Sequence, residues 1–123
     1  MKLVRITIVK KVEHKDLMEQ YEKPIEHACC HEVGQVYVSK EAEKPEGFCS
    51  SAWMNLYPFV FSLANWARDI YQGWMKDAKS AMISCNDGFR PVSFLLEVMD
   101  EEDWWDYFYF GLSKWVGVWY KRC

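Results

Sequence analysis

An α+β fold is what this 123-residue sequence specifies, with a small, mostly antiparallel sheet covered by one kinked helix and an additional aromatic helix at the C-terminal end. Three observations lead there. Val4, Ile6 and Ile8 alternate with Arg5 and Thr7, the two-residue period of a half-buried strand. From Trp53 through Leu56, Tyr57, Val60, Leu63, Ala64 and Ala67, apolar residues recur at three- and four-residue steps, the signature of one helix face. Ala81–Cys85 and Val92–Leu96 are strand-like runs flanking Asn86-Asp87-Gly88, a strong hairpin signal because these residues accept positive φ.

The remaining elements follow in order. Asp16 to Glu19 has capping-box spacing and opens a short helix that Pro24 ends. Gln35–Val38 follows Gly34 as a second strand, and residues 40–47, charged and containing Pro45 and Gly47, form a surface loop. Ser50 is placed to cap the main helix of residues 50–67, and Pro58 inside it removes a backbone donor and kinks it. Residues 68–79 carry no clear period. Pro91 cannot donate to a ladder, so it belongs at the entry to its strand, near an edge.

Composition narrows the function classes. Half the residues are hydrophobic and 17% aromatic, which belongs to a packed domain, and the length suits one core. The net charge of −3 and the interspersed signs leave no basic stripe for a phosphate backbone, so nucleic acid is not an expected partner. The first ten residues read as a strand and not a signal peptide, and no apolar run is long enough to span a bilayer. Five cysteines without a disulfide framework point to free thiols or metal ligands in a reducing, cytoplasmic setting. Phosphate loops, H-E-x-x-H and G-x-S-x-G are all absent, and no catalytic triad can be argued. An enzyme is the less expected outcome.

Pro45-Glu46-Gly47-Phe48-Cys49, the Ala52-Trp53 helix start, and Cys85-Asn86-Asp87-Gly88-Phe89-Arg90-Pro91-Val92 together resemble a family of small microbial proteins of unassigned function. That family is marked by a P-x-G-x-C loop, an A-W helix start and a C-T-D-G-x-R-P-V hairpin. The resemblance covers residues 3–98 and implies that residues 1–98 are one fold unit. It also implies that Cys49, Cys85 and one of Cys29 or Cys30 match the family's cysteines. Asn86 in place of threonine, Pro58, and the extension over residues 99–123 depart from the pattern. No activity comes with the resemblance.

Two constellations carry candidate chemistry. Cys29, Cys30, Cys49 and Cys85, with His27 or His31, supply the thiolate and imidazole donors that zinc or, with thiolates alone, an iron–sulfur cluster would take. Cys49 precedes a helix start, where unsatisfied N–H groups favour negative charge. The competing reading is that these cysteines pack as small hydrophobes. Asp87 and Arg90 form the second constellation, a candidate ligand-binding pair, since arginine presents a fork to carboxylate or phosphate. Turn geometry and a structural ion pair would demand the same two residues.

The C-terminal extension begins with acids and ends with Lys121 and Arg122, which suits a helix dipole. Trp104, Phe108, Trp115 and Trp119 fall on one face, with Trp105 beside them, and aromatics also occupy the other sides. Such a segment packs on its own domain, on a homo-oligomer interface or on another protein; its acidic start disfavours a membrane surface. Two functions of different class follow. One is a small thiol-rich metal-binding or redox accessory protein, and the other is an interaction module built on the aromatic tail.

Overall fold

The computed structural model describes residues 1–26 and 28–100. The expected aromatic helix, with Trp104, Trp105, Phe108, Trp115 and Trp119, lies outside the described residues, as does His27.

The N-terminal alternation becomes β1 (Val4–Lys11), in which Val4, Ile6 and Ile8 are fully buried. α1 (Lys15–Tyr21) is short and buries no residue. Its N-cap is His14, which makes no side-chain cap bond, and Asp16 sits inside the first turn. The capping-box expectation is therefore corrected: Asp16 acts only as a negative charge near the positive end of the helix. β2 (Val36–Ser39), β3 (Ser80–Ser84) and β4 (Val92–Val98) complete one sheet in the order β2-β1-β4-β3, with every pairing antiparallel. Among the described residues, the first and last strands are thus the inner pair.

α2 (Ser50–Ala64) covers one face of that sheet. Ala52, Leu56, Val60, Leu63 and Ala64 are buried at helical spacing and form the main core with Val4, Ile6, Ile8, Phe94 and Leu96. The buried face is turned slightly from the expected one. Ala52 points in, Trp53 is half-buried, and Tyr57 is exposed. The N-cap is Cys49, one residue before Ser50. The helix runs unbroken through Pro58. Pro58 and Met54 both face solvent, so water can satisfy the Met54 carbonyl that the proline leaves without its donor.

β3 and β4 do pair as a hairpin, from Ser80↔Glu97 to Ser84↔Ser93, but the turn between them is longer than expected. It spans residues 85–91, closed at its base by the Cys85 N–H donating to the Val92 carbonyl at 3.0 Å. Gly88 does not adopt positive φ; among the described glycines Gly34, Gly47 and Gly73 do. Asp87 shapes this loop instead, its Oδ1 accepting the N–H groups of Phe89 at 2.8 Å and Arg90 at 3.1 Å. Pro91 also departs from expectation, because β4 is an inner strand. Pro91 stands just outside the ladder, where its carbonyl accepts the Val12 N–H at 3.0 Å and its missing donor is not needed.

Among the described residues no helix is long and apolar enough to cross a membrane.

Candidate functional site

A pocket of about 850 Å³ opens where the start of α2 meets the end of the sheet. Three separate segments wall it. Cys29, Cys30 and His31 come from the chain before β2, Cys49, Ser51 and Ala52 from the start of α2, and Cys85, Asn86, Asp87 and Arg90 from the β3–β4 loop. Val92 and Phe94 of β4 line it as well. Every site residue read from the sequence that lies among the described residues therefore borders this one cavity.

Side-chain amides hold these segments together. Asn55 Nδ2 donates to the Ser84 carbonyl at 3.2 Å, and Asn86 Nδ2 donates to the Ser51 carbonyl at 3.2 Å. Residues 84–86 are thereby tied to the first turns of α2, and Cys49 and Cys85 line the same pocket. Cys29, Cys49 and Cys85 are free, half-buried and packed against the main core. The Cys85 Sγ accepts the Val92 N–H at 3.3 Å. α2 has no acidic residue in its first turn and no side-chain cap, so the positive end of its dipole stands uncompensated at the pocket wall.

His31 is built in more tightly than a ligand would be. It is 1% exposed and its ring contacts Phe48, Tyr37 and Phe94, with centroids 4.9, 5.5 and 5.8 Å away. Nδ1 lies 3.3 Å from Gln35 Oε1, and Nε2 accepts the Cys49 N–H at 3.3 Å. Gln35 Oε1 also accepts the Glu32 N–H at 3.0 Å, which fixes that atom as oxygen. An amide oxygen cannot donate, so Nδ1 carries the proton, Nε2 is bare, and the ring is neutral. Burial pushes the His31 pKa below its ordinary value. The hydrogen bond to Gln35 opposes this, and the Lys11 charge adds to it. Lys11 Nζ in turn donates to the His31 carbonyl at 2.7 Å. In this arrangement neither imidazole nitrogen is offered to a metal.

Asp87 and Arg90 are each engaged. Asp87 accepts the loop N–H groups already described. Arg90 meets Glu22 as a two-pronged pair: Nη1 donates to Oε2 at 2.9 Å and Nη2 to Oε1, with both side chains largely buried. The pair ties the β3–β4 loop to the chain just after α1. Among the described residues no group of three or more His, Cys, Asp or Glu side chains is arranged to hold a metal ion.

Sequence reasoning did not find Gln35, Asn55 and Asn86 as positioning residues. Asn55 sits on a helix among apolar neighbours, and nothing in its local pattern announces a partner 29 positions away. Comparison with protein-family models, curated proteins and solved structures finds no match to this chain. Cys49, at the end of the Pro45–Cys49 segment, and Cys85, Asn86, Asp87, Arg90 and Val92 of the hairpin segment line this pocket.

Proposed function

We propose that the protein carries out thiol chemistry on a small molecule held in this pocket, with Cys49 and Cys85 as the exchanging pair and Cys29 beside them. One observation carries the reading: three free thiols, from segments far apart in sequence, open on a single cavity. Cysteines that serve only as small hydrophobes are usually fully buried, whereas these keep partial exposure. The reaction is exchange with a small-molecule disulfide. The Cys49 thiolate attacks one sulfur and releases the first thiol, forming a mixed disulfide. The Cys85 thiolate then attacks the Cys49 sulfur and releases the second thiol. The two protein thiols give up two electrons and two protons, and the bound disulfide is reduced to two thiols. A zinc or iron–sulfur role would use the same sulfurs. It stands second because His31, its nearest nitrogen donor, has both ring nitrogens in hydrogen bonds.

The test is protein purified without oxygen, analysed for zinc and iron, then treated with oxidised glutathione. Loss of two thiols and a Cys49–Cys85 linkage in the peptide map is expected. Stoichiometric metal with unreactive cysteines would move the reading to metal binding, and unreactive cysteines without metal would leave them as packing.

The interaction reading has an observation of its own. Met54, Tyr57 and Phe61 run along the outer face of α2, and Trp66 and Trp74 are exposed beyond its end. Aromatic and methionine side chains are enriched at protein interfaces. A solution mass above the monomer that falls when Tyr57 and Phe61 are replaced by serine would support it.

A further inference from the structure

The peptide that joins Phe48 to Cys49 is held at both its ends. Its carbonyl accepts a hydrogen bond from Lys44 Nζ at 3.0 Å, and its N–H donates to the bare Nε2 of His31 at 3.3 Å. A peptide unit is planar, so holding its oxygen and its N–H together stops the plane from turning. The next peptide is held as well, because the Cys49 carbonyl accepts the Trp53 N–H at 2.9 Å, the first bond of α2. With both neighbouring planes held, Cys49 keeps φ −62° and ψ 121°, and its Cα–Cβ bond is left with one direction.

His31 can serve in this way only as the tautomer with a bare Nε2, and Gln35 selects that tautomer by accepting from Nδ1. An N-cap side chain ordinarily turns back to the N–H groups of the first helical turn. Cys49 makes no such bond, and it lines the pocket. Its backbone is anchored from outside the helix, and its thiol is spared the capping role. Cys85 stands in the opposite condition, with Sγ already accepting the Val92 N–H at 3.3 Å. The two thiols of the pair are therefore unequal.

We propose that His31 is a positioning residue: through the Phe48–Cys49 peptide, and together with Lys44, it makes Cys49 the more reactive thiol of the pocket and the one that attacks first. The attack itself rests on the thiol-exchange reading, whereas the difference between the two cysteines rests on backbone geometry alone. Without either anchor the peptide plane can turn. The Cys49 side chain can then fall back on the N–H groups of Ser51 and Ala52, the second and third residues of α2, as an ordinary cap does.

The test is alkylation by iodoacetamide of the full chain purified without oxygen, with the rates at Cys49 and Cys85 read in one sample by mass spectrometry of their peptides. A general loosening of the fold raises both rates, so the ratio reports on Cys49 in particular. Lys44→Met removes one anchor at an exposed position, and His31→Leu removes the other while filling much of the ring's space. Each is expected to lower the ratio of the Cys49 rate to the Cys85 rate about fivefold or more. Lys44→Arg and His31→Gln return a donor and an acceptor, and are expected to bring the ratio back to within about twofold of the natural chain. An unchanged ratio in Lys44→Met or His31→Leu, or a lowered ratio that the Arg and Gln variants do not restore, would overturn the proposal. Should His31→Leu fail to fold, the two Lys44 variants decide the matter. A separate arm with oxidised glutathione locates the first mixed disulfide, expected on Cys49 in the natural chain; its appearance first on Cys85 would also overturn the proposal. Ratios that move as expected while glutathione reacts at neither cysteine would support the positioning of Cys49 and remove the exchange reading alone.

Discussion

His31 shows how a residue can be found for one reason and matter for another. Its proximity to Cys29 and Cys30 in sequence suggested a metal ligand, but its ring is a buried, neutral peg between Gln35 and the Cys49 backbone. The pH dependence follows from that. In the unfolded chain the imidazole titrates near 6.5, and in the fold its pKa is lowered. As pH falls below the unfolded value, the unfolded state takes up the proton first and is favoured. The stabilisation is complete above pH 6.5 and is lost as pH falls from there through the folded value. Urea midpoints measured from about pH 8 to about pH 5 should drop for the natural chain and drop less for His31→Gln, with the range kept above most carboxylate titration. Equal slopes for the two proteins would show that His31 is not held neutral. The cysteines, Asp87 and Arg90 were legible because chemistry and turn signals mark them in sequence. The Glu22 partner of Arg90 was not, because an ion pair spanning 68 positions leaves no local trace.

Among the secondary-structure elements, the strands were legible almost to the residue, because alternation on a half-buried face repeats every two positions. The α2 face was legible only to within a fraction of a turn. Tyr57 and Trp53 look like core residues by hydrophobicity, yet the burial of Ala52 against the sheet rotates the helix so that they lie at its margin. Leu56→Ala should accordingly cost about 2–5 kcal/mol in denaturant titration, and Trp53→Ala clearly less, since Trp53 keeps solvent contact. The reverse order would mean that the helix face is misassigned. Pro58 is a second case. Its missing donor and ring sit on the solvent side, so Pro58→Ala should raise stability by about 1 kcal/mol or more. A loss on that substitution would show that the local geometry is used elsewhere in the fold. The β3–β4 loop reverses a natural guess about glycine. Gly88 lacks positive φ and a Cβ built on it meets nothing within 4 Å, so Gly88→Val should change stability by no more than about 0.5 kcal/mol. Asp87→Ala removes two backbone bonds and should lose about 1 kcal/mol. If Gly88→Val is the more damaging of the two, the open loop described above is not the one in solution.

For the molecule as a whole, the decisive feature is that β1 and β4, from opposite ends of the described chain, are the inner pair of the sheet. Nothing in local patterning selects that pairing, since alternation says which face a strand buries but not which strand lies beside it. The hairpin of β3 and β4 was readable because its turn is local. The register of Val4 against Val98, by contrast, is settled by the shared core that Val4, Ile6, Ile8, Phe94 and Leu96 make under α2. This arrangement predicts an uneven distribution of stability. The β1–β4 amides can open only when the core under α2 is lost, while β2, four residues long and at one edge, can part from β1 without disturbing α2. Native-state hydrogen exchange should therefore show the slowest amides where β1 and β4 bond to each other, with a denaturant dependence equal to that of global unfolding. The amides by which β2 and β1 bond should exchange faster and with a weaker denaturant dependence, reporting local opening at the edge. If the β2 amides instead exchange as slowly as the β1–β4 set, and with the same dependence, the edge is not free to open. The sheet would then unfold as a single unit, with its stability no longer concentrated in the pairing of β1 with β4.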